Sequence, residues 1–351
     1  MIVLEAALEL ELRRDKIWPI LRALAVAGIG LLASAWAAAW ILYYLVPGME
    51  MSQAWLYATP LSILSSAIII PSVSRLPESK KEFHVYESTF SDILGIMLFY
   101  FLESQLNPIE APGAAGFAGS ILLTLGVALI ASYILILVFQ QIRSQAKQFL
   151  LLAVLLLLYA LGKKLHLSSL IIILVFGLVI ANMRLFFFGP LKKFLKEERA
   201  KQIYHELHII TLESAFVVRT FFFVVFGITI VLSSLLSWEV LMISLLILAT
   251  IYAIRFALLR TFLGSGIFTQ LFIAPRGLIT ILLFYAIPTE AQVPGFEPGI
   301  LLFIIIGTSL IMTWALIKDN KKPATLLDEL DEEFELREEA YEESDESPNS
   351  K

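Results

Sequence analysis

Cysteine is absent from the 351-residue chain, so disulfides, thiolate metal sites and cysteine nucleophiles are excluded, and no redox compartment is marked. Histidine is scarce. His84, His166, His205 and His208 all fall at the ends of apolar runs, which reads as interfacial placement and not as metal ligation. Charged residues make up only 16% of the chain against 58% hydrophobic ones, where soluble domains carry about 25% charge. No Ser-His or Cys-His set, His-x-x-x-His motif or paired intramembrane aspartates occur, so an enzyme is not expected. Met1–Lys16 lacks the basic stretch and short apolar core of a cleavable signal peptide.

What is abundant is long, charge-poor apolar sequence. Ile17 to Val46 holds one charge, Arg22, and Gly113 to Gln141 holds none. Runs of roughly 18 or more apolar residues can cross a bilayer as helices, and these do not alternate as barrel strands would. The expected fold class is an all-α polytopic membrane protein of about ten transmembrane helices. The expected spans are 17–46, 52–76, 83–105, 113–142, 146–163, 168–191, 207–233, 239–260, 266–289 and 296–318. Residues 1–16 form an N-terminal stub, 17–322 the transmembrane domain and 323–351 an acidic, disordered cytoplasmic tail.

The net charge of −5 hides an asymmetry, because twelve of the 31 acidic residues lie in Asp328–Glu346. Met1–Lys322 is then about +5, as suits a protein beside anionic lipid. Ten crossings from a cytoplasmic N-terminus put eighteen basic residues in inner loops and only Lys163 and Lys164 outside. That bias places both termini in the cytoplasm. The expected location is the cell (inner) membrane, and nucleic acid is not an expected partner.

Ionisable groups inside membrane spans are costly and mark function. The third span holds the densest set, Tyr86-Glu87-Ser88-Thr89-Phe90-Ser91-Asp92-Ile93-Leu94-Gly95. Ser88, Ser91, Asp92 and Gly95 share one helical face, with Glu87 at its border. A carboxylate flanked by two hydroxyls suits a hard cation, and a carboxyl withdrawn from water can trade that cation for a proton. Ser and Gly also line helix contacts in membranes, but packing leaves Asp92 without a role. In the ninth span, Arg276 keeps its charge at depth and needs a carboxylate or freed carbonyls. Pro275 and Gly277 loosen the helix there, and Glu87 is the expected partner.

Two further spans look interrupted. The second carries Pro60, Ser65-Ser66-Ala67 and Pro71, and the tenth carries Gly307-Thr308-Ser309 at mid-depth. Interrupted helices in corresponding places of two oppositely directed halves point to a transporter site with inverted repeats. Glu213 and Arg255 sit nearer span ends and read as snorkelling or paired groups, and Arg219 reads as structural.

Taken together, these residues resemble the cation/proton antiporter superfamily, which includes the sodium/proton exchangers. Glu87-Ser88-Thr89-Phe90-Ser91-Asp92 resembles its Glu-Ser-Leu-Leu-Asn-Asp signature, and Ala274-Pro275-Arg276-Gly277 its Gly-x-Arg-Gly element. Phe221-Phe222-Phe223-Val224-Val225-Phe226-Gly227 is similar to its Phe-Phe-x-x-x-Gly stretch, and Leu4-Glu5-Ala6-Ala7-Leu8 to its Phe-Glu-Gly-Gly-Leu helix end. The resemblance implies a sodium/proton antiporter-like inverted repeat with two interrupted helices. It assigns Asp92 to cation or proton in turn, with Ser88 and Ser91 beside it and Ser65, Ser66, Gly307 and Thr308 near the site. Glu87 and Arg276 would form the buried ion pair. An elevator-like motion against a homodimer-forming scaffold is implied, with no cofactor beyond the transported Na+ or K+ and H+.

Three departures shape the expectation. Ser91 stands where exchangers have Asn or a second Asp, which favours one-for-one exchange. Ser65-Ser66-Ala67-Ile68 resembles the Ser-Ser-Thr-Ala of the potassium-efflux branch, not Thr-Asp-Pro. The chain also begins where the family's third helix ends, so first helices are expected to be missing and Glu5 can approach the site. The leading expectation is exchange of Na+ (or Li+) for H+. A K+/H+ antiporter or K+ efflux protein is one alternative, and a non-transporting sensor or subunit derived from this fold is another.

Overall fold

In a bilayer the backbone must satisfy its own hydrogen bonds, and the apolar runs here do so as helices. A computed structural model describes residues 2–10, 12, 17–74, 76–106, 113–141, 147–164, 169–187, 197–229, 235, 237–264 and 266–319. The acidic tail lies outside them. The elements run α1 (Ile2–Leu8), α2 (Ile17–Leu45), α3 (Met51–Ser62), α4 (Ser66–Ser72), α5 (Glu78–Ser104), α6 (Gly113–Phe139) and α7 (Lys147–Lys164). They continue with α8 (Ser169–Ala181), α9 (Met183–Phe186), α10 (Glu197–Thr229), α11 (Trp238–Leu263), α12 (Phe268–Phe272), α13 (Leu278–Tyr285) and α14 (Gly299–Asp319).

Each of the ten expected spans meets a helix or a broken pair of helices. Among the described residues, six units are long and apolar enough by themselves to cross a membrane: α2, α3 with α4, α5, residues 122–139 of α6, α11 and α14. The other four expected spans fall on α7, α8, α10 and the α12–α13 pair. The chain is an integral, multi-pass membrane protein. Exposed Trp36, Trp40, Tyr43 and Tyr44 on α2 suit contact with lipid and its interface.

Two bodies share the described residues, and α4 joins the first through a smaller cluster in which Ile69 and Val73 pack with Ile273, Ala274 and Met312. The first packs α2, α3, α5, α11, α13 and α14 around one apolar cluster that includes Leu42, Leu56, Phe99, Ile247, Ile281 and Ile304. The second gathers α1, α6, α7, α8 and α10 around another, with Leu4, Leu8, Phe139, Phe176 and Leu207 at its centre. The packing of α1 on α8 is close, because a Cβ at Gly177 would sit 2.7 Å from that of Ala7. Asn182 ties the chain leaving α1 to this second body, donating from Nδ2 to the Leu10 carbonyl at 2.7 Å.

The interruptions differ in one place from those expected. The second span does break, between Ser62 and Ser66, and the other break falls in the ninth span at residues 273–277. The tenth span, α14, runs unbroken through Gly307, Thr308 and Ser309. The Thr308 hydroxyl there donates to its own helix at the Ile304 carbonyl, 2.8 Å away, which a continuous helix accommodates. Pro275 has no N–H to offer and biases the residue before it away from helix, and that is where the ninth span opens.

Candidate ion-binding site

Both breaks meet at the same depth, where their freed backbone groups find partners. Ser65 N–H donates across to the Pro275 carbonyl at 2.9 Å, so the two extended segments are joined directly. Their approach needs a residue without a side chain: a Cβ on Gly277 would lie 2.4 Å from Ser65 Oγ. Gly95 plays the same part on α5, where a Cβ would lie 2.4 Å from two side-chain carbons of Ile63.

Asp92 faces this crossing from α5 and is 2% exposed. Its Oδ2 accepts from Ser66 N–H at 3.3 Å and from the Ser66 hydroxyl. Its Oδ1 is buried with no hydrogen-bond partner among the described residues. A buried carboxylate oxygen left unpaired is costly, so the arrangement calls for a cation or proton there.

The neighbouring serines take different parts. Ser88 Oγ donates to the Val85 carbonyl of its own helix at 3.3 Å. Ser91 Oγ accepts from Leu64 N–H at 3.0 Å, so it supports the break in the second span. Ser91 also faces a small void of about 30 Å³ lined by Ser34, Ser62, Glu87, Arg255 and Arg276 among others, room for about one water. On the other side of α4, Ser66 borders a larger cavity of about 590 Å³, with Glu5, Glu9, Glu213 and Arg219 on its wall. Asp92 therefore stands one hydrogen bond behind that wall.

The expected pairing of Glu87 with Arg276 does not form. Glu87 pairs with Arg255 of α11, which donates from Nη1 to Oε1 at 2.7 Å and from Nη2 to Oε2 at 3.0 Å. His84 Nδ1 adds a contact at 3.1 Å. Arg276 instead donates to the carbonyls of Leu61 at 3.0 Å, Ala274 at 2.6 Å and Ser62 at 3.3 Å. A guanidinium among the carbonyls that end α3 meets the negative end of that half-helix. Arg276 N–H, left over by the break, donates to Thr308 Oγ1 at 3.0 Å. Thr308 thus reaches the crossing from an intact helix, while Gly307 packs on α11, where a Cβ would meet Leu248 at 3.1 Å.

Two residues of the site gained their roles only in the structure. Of the two readings open to Arg255, snorkelling or pairing, pairing is the one found, and its Nε and Nη2 also donate to the carbonyls of Gln270 and Leu271 at 3.0–3.3 Å. His84 is fully buried beside Glu87. The signal for Arg255 was present, as a lone arginine within Ala249–Leu259, a run with no other charge.

A model of the sodium/hydrogen exchanger transmembrane region matches residues 1–318. Among solved structures, the chain is similar to the sodium proton antiporter MjNhaP1 from Methanocaldococcus jannaschii at pH 8. That likeness has 21% identity and a TM-score of 0.64, and covers 90% of this chain and 80% of that one. An electron-microscopy structure of the same antiporter gives 19% identity, a TM-score of 0.58 and coverage of 91% and 80%. At these identities the likeness shows the fold. A search of curated proteins finds no match. With nine-tenths of its length inside the match, two interrupted helices crossing beside a buried aspartate and a transporter's fold, the chain belongs to the sodium/hydrogen exchanger family.

Proposed function

We propose that this protein exchanges one monovalent cation, Na+ before K+, for one H+, with Asp92 carrying either in alternation. The observation that supports this most is the unpaired, buried Oδ1 of Asp92 beside the two crossed breaks. A single carboxylate cannot hold a metal ion and a proton on the same oxygen together, so loading one displaces the other. That competition couples the two fluxes without any further part. Ser66 steadies Oδ2 and leaves Oδ1 for the ligand, an oxygen donor of the kind hard cations prefer.

The large cavity supports access from one side. In the orientation given by the loop charges, α4 and the start of α5 lie in the cytoplasmic half, so this conformation opens inward. Alternating access then moves the first body against the second, carrying Asp92 to the outer face. A homodimer built on the second body belongs to the same reading.

The test is transport in proteoliposomes, following internal pH after Na+, Li+ or K+ is added separately. Wild type should dissipate an imposed pH gradient, with Na+ or Li+ ahead of K+. Asp92→Asn should bring exchange to background while circular dichroism and elution from size-exclusion remain those of wild type. Wild-type exchange in that variant would refute the assignment.

A further inference from the structure

Two arginine–glutamate pairs among the described residues are built differently, one buried and one partly exposed. Glu87 and Arg255 belong to one body, face each other fork to fork, and Arg255 Nε is also bonded. Arg219 and Glu5 stand on α10 and α1, helices that anchor the second body through Leu207 and Leu4 while Ala215, Phe223 and Val3 pack on the first, so this pair sits at the seam. There a single nitrogen, Nη2, meets both carboxylate oxygens, at 2.8 and 2.6 Å. Arg219 Nη1 reaches across to the first body and donates to the Ala67 carbonyl at 3.2 Å. Its Nε is buried without a hydrogen-bond partner among the described residues. The side chains of Arg219 and Glu5 remain 19% and 14% exposed.

Position gives this bond a consequence. Ala67 follows Ser66, whose N–H and hydroxyl both hold Asp92. Glu5, Arg219, Ser66 and Ala67 all line the 590 Å³ cavity, which leaves room for these side chains to part. A fully bonded pair inside one body is a fixed joint. An under-bonded guanidinium that crosses between bodies at the edge of a cavity can be exchanged for water at much lower cost.

The geometry points to Arg219, clamped by Glu5, as a positioning residue that latches α10 to α4 through the Ala67 carbonyl in this conformation and must release α4 when the bodies move. This rests on the alternating-access reading above and goes beyond it by naming the contact that breaks. The latch also sets the position of Ser66 against Asp92, so its release is felt at the ion.

The absence of cysteine allows a direct test. An Ile70→Cys background places one thiol on the cavity wall, and its rate of reaction with a charged methanethiosulfonate reagent in proteoliposomes reads the cavity-open population. Into it go Arg219→Met and the double variant Glu5→Met/Arg219→Met, which leaves no orphan carboxylate. Labelling should slow by about tenfold in both, the population change that one hydrogen bond to a charged group can impose. Wild-type labelling in a folded double variant would overturn the latch. Misfolding of both variants would overturn it too, in favour of a purely structural pair. Labelling does not require transport, so absence of exchange in the wild type would remove the proposed function while the labelling result still decides the latch.

Discussion

Replacing Arg255 by glutamine tests the pairing on which the first body depends. The substitution removes two charge-assisted bonds to Glu87 and the donors to the Gln270 and Leu271 carbonyls. Glu87 would keep only His84 as a partner among the contacts described. Breaking a buried pair from one side costs about 3–5 kcal/mol, because the remaining charge is stranded. The double-mutant cycle of Glu87→Gln with Arg255→Gln should then show a coupling of about 2 kcal/mol or more, within the range for residues in contact. The cycle of Glu87→Gln with Arg276→Gln should show a smaller coupling, since those two meet only across the small void that both line and Arg276 bonds to carbonyls instead. The assay is denaturant unfolding in detergent micelles followed by tryptophan fluorescence, accepted only where a second probe gives the same transition. A larger coupling of Glu87 to Arg276 than to Arg255 would refute the pairing described.

Two further substitutions probe the crossing itself. Gly277→Ala sets a methyl group 2.4 Å from Ser65 Oγ, so the segments must separate, at about 1–3 kcal/mol; thermal stability and exchange should fall together, and an unaffected protein would show that the close approach is absent. Thr308→Val removes the acceptor of Arg276 N–H and should cost about 1–3 kcal/mol with α14 still helical by circular dichroism, whereas Thr308→Ser should retain wild-type stability in the same unfolding assay.

Much of the site's setting was legible in the chain because membrane physics writes it there. A carboxylate such as Asp92 within an apolar span has few tolerable roles, and Pro275 with Gly277 announces a helix that cannot continue. Gly307-Thr308-Ser309 misled for a related reason: small and hydroxylated residues serve equally to break a helix and to let another segment press on an intact one. Which of the two occurs depends on a neighbour, here Arg276, that lies 32 positions away.

The sequence by itself determined that the chain crosses a membrane repeatedly as helices, where those helices fall, and that an acidic group on the third is the one to watch. Those follow from the cost of burying charge and unpaired backbone in hydrocarbon, which each segment meets alone. Tertiary structure alone decided the partners. Glu87 takes Arg255, 168 positions along the chain, while Arg276 takes the carbonyls that end α3, and Arg219 reaches Ala67 over the boundary between bodies. A guanidinium satisfies a carboxylate or a group of carbonyls equally well in principle, so only the distances in the folded protein select between them.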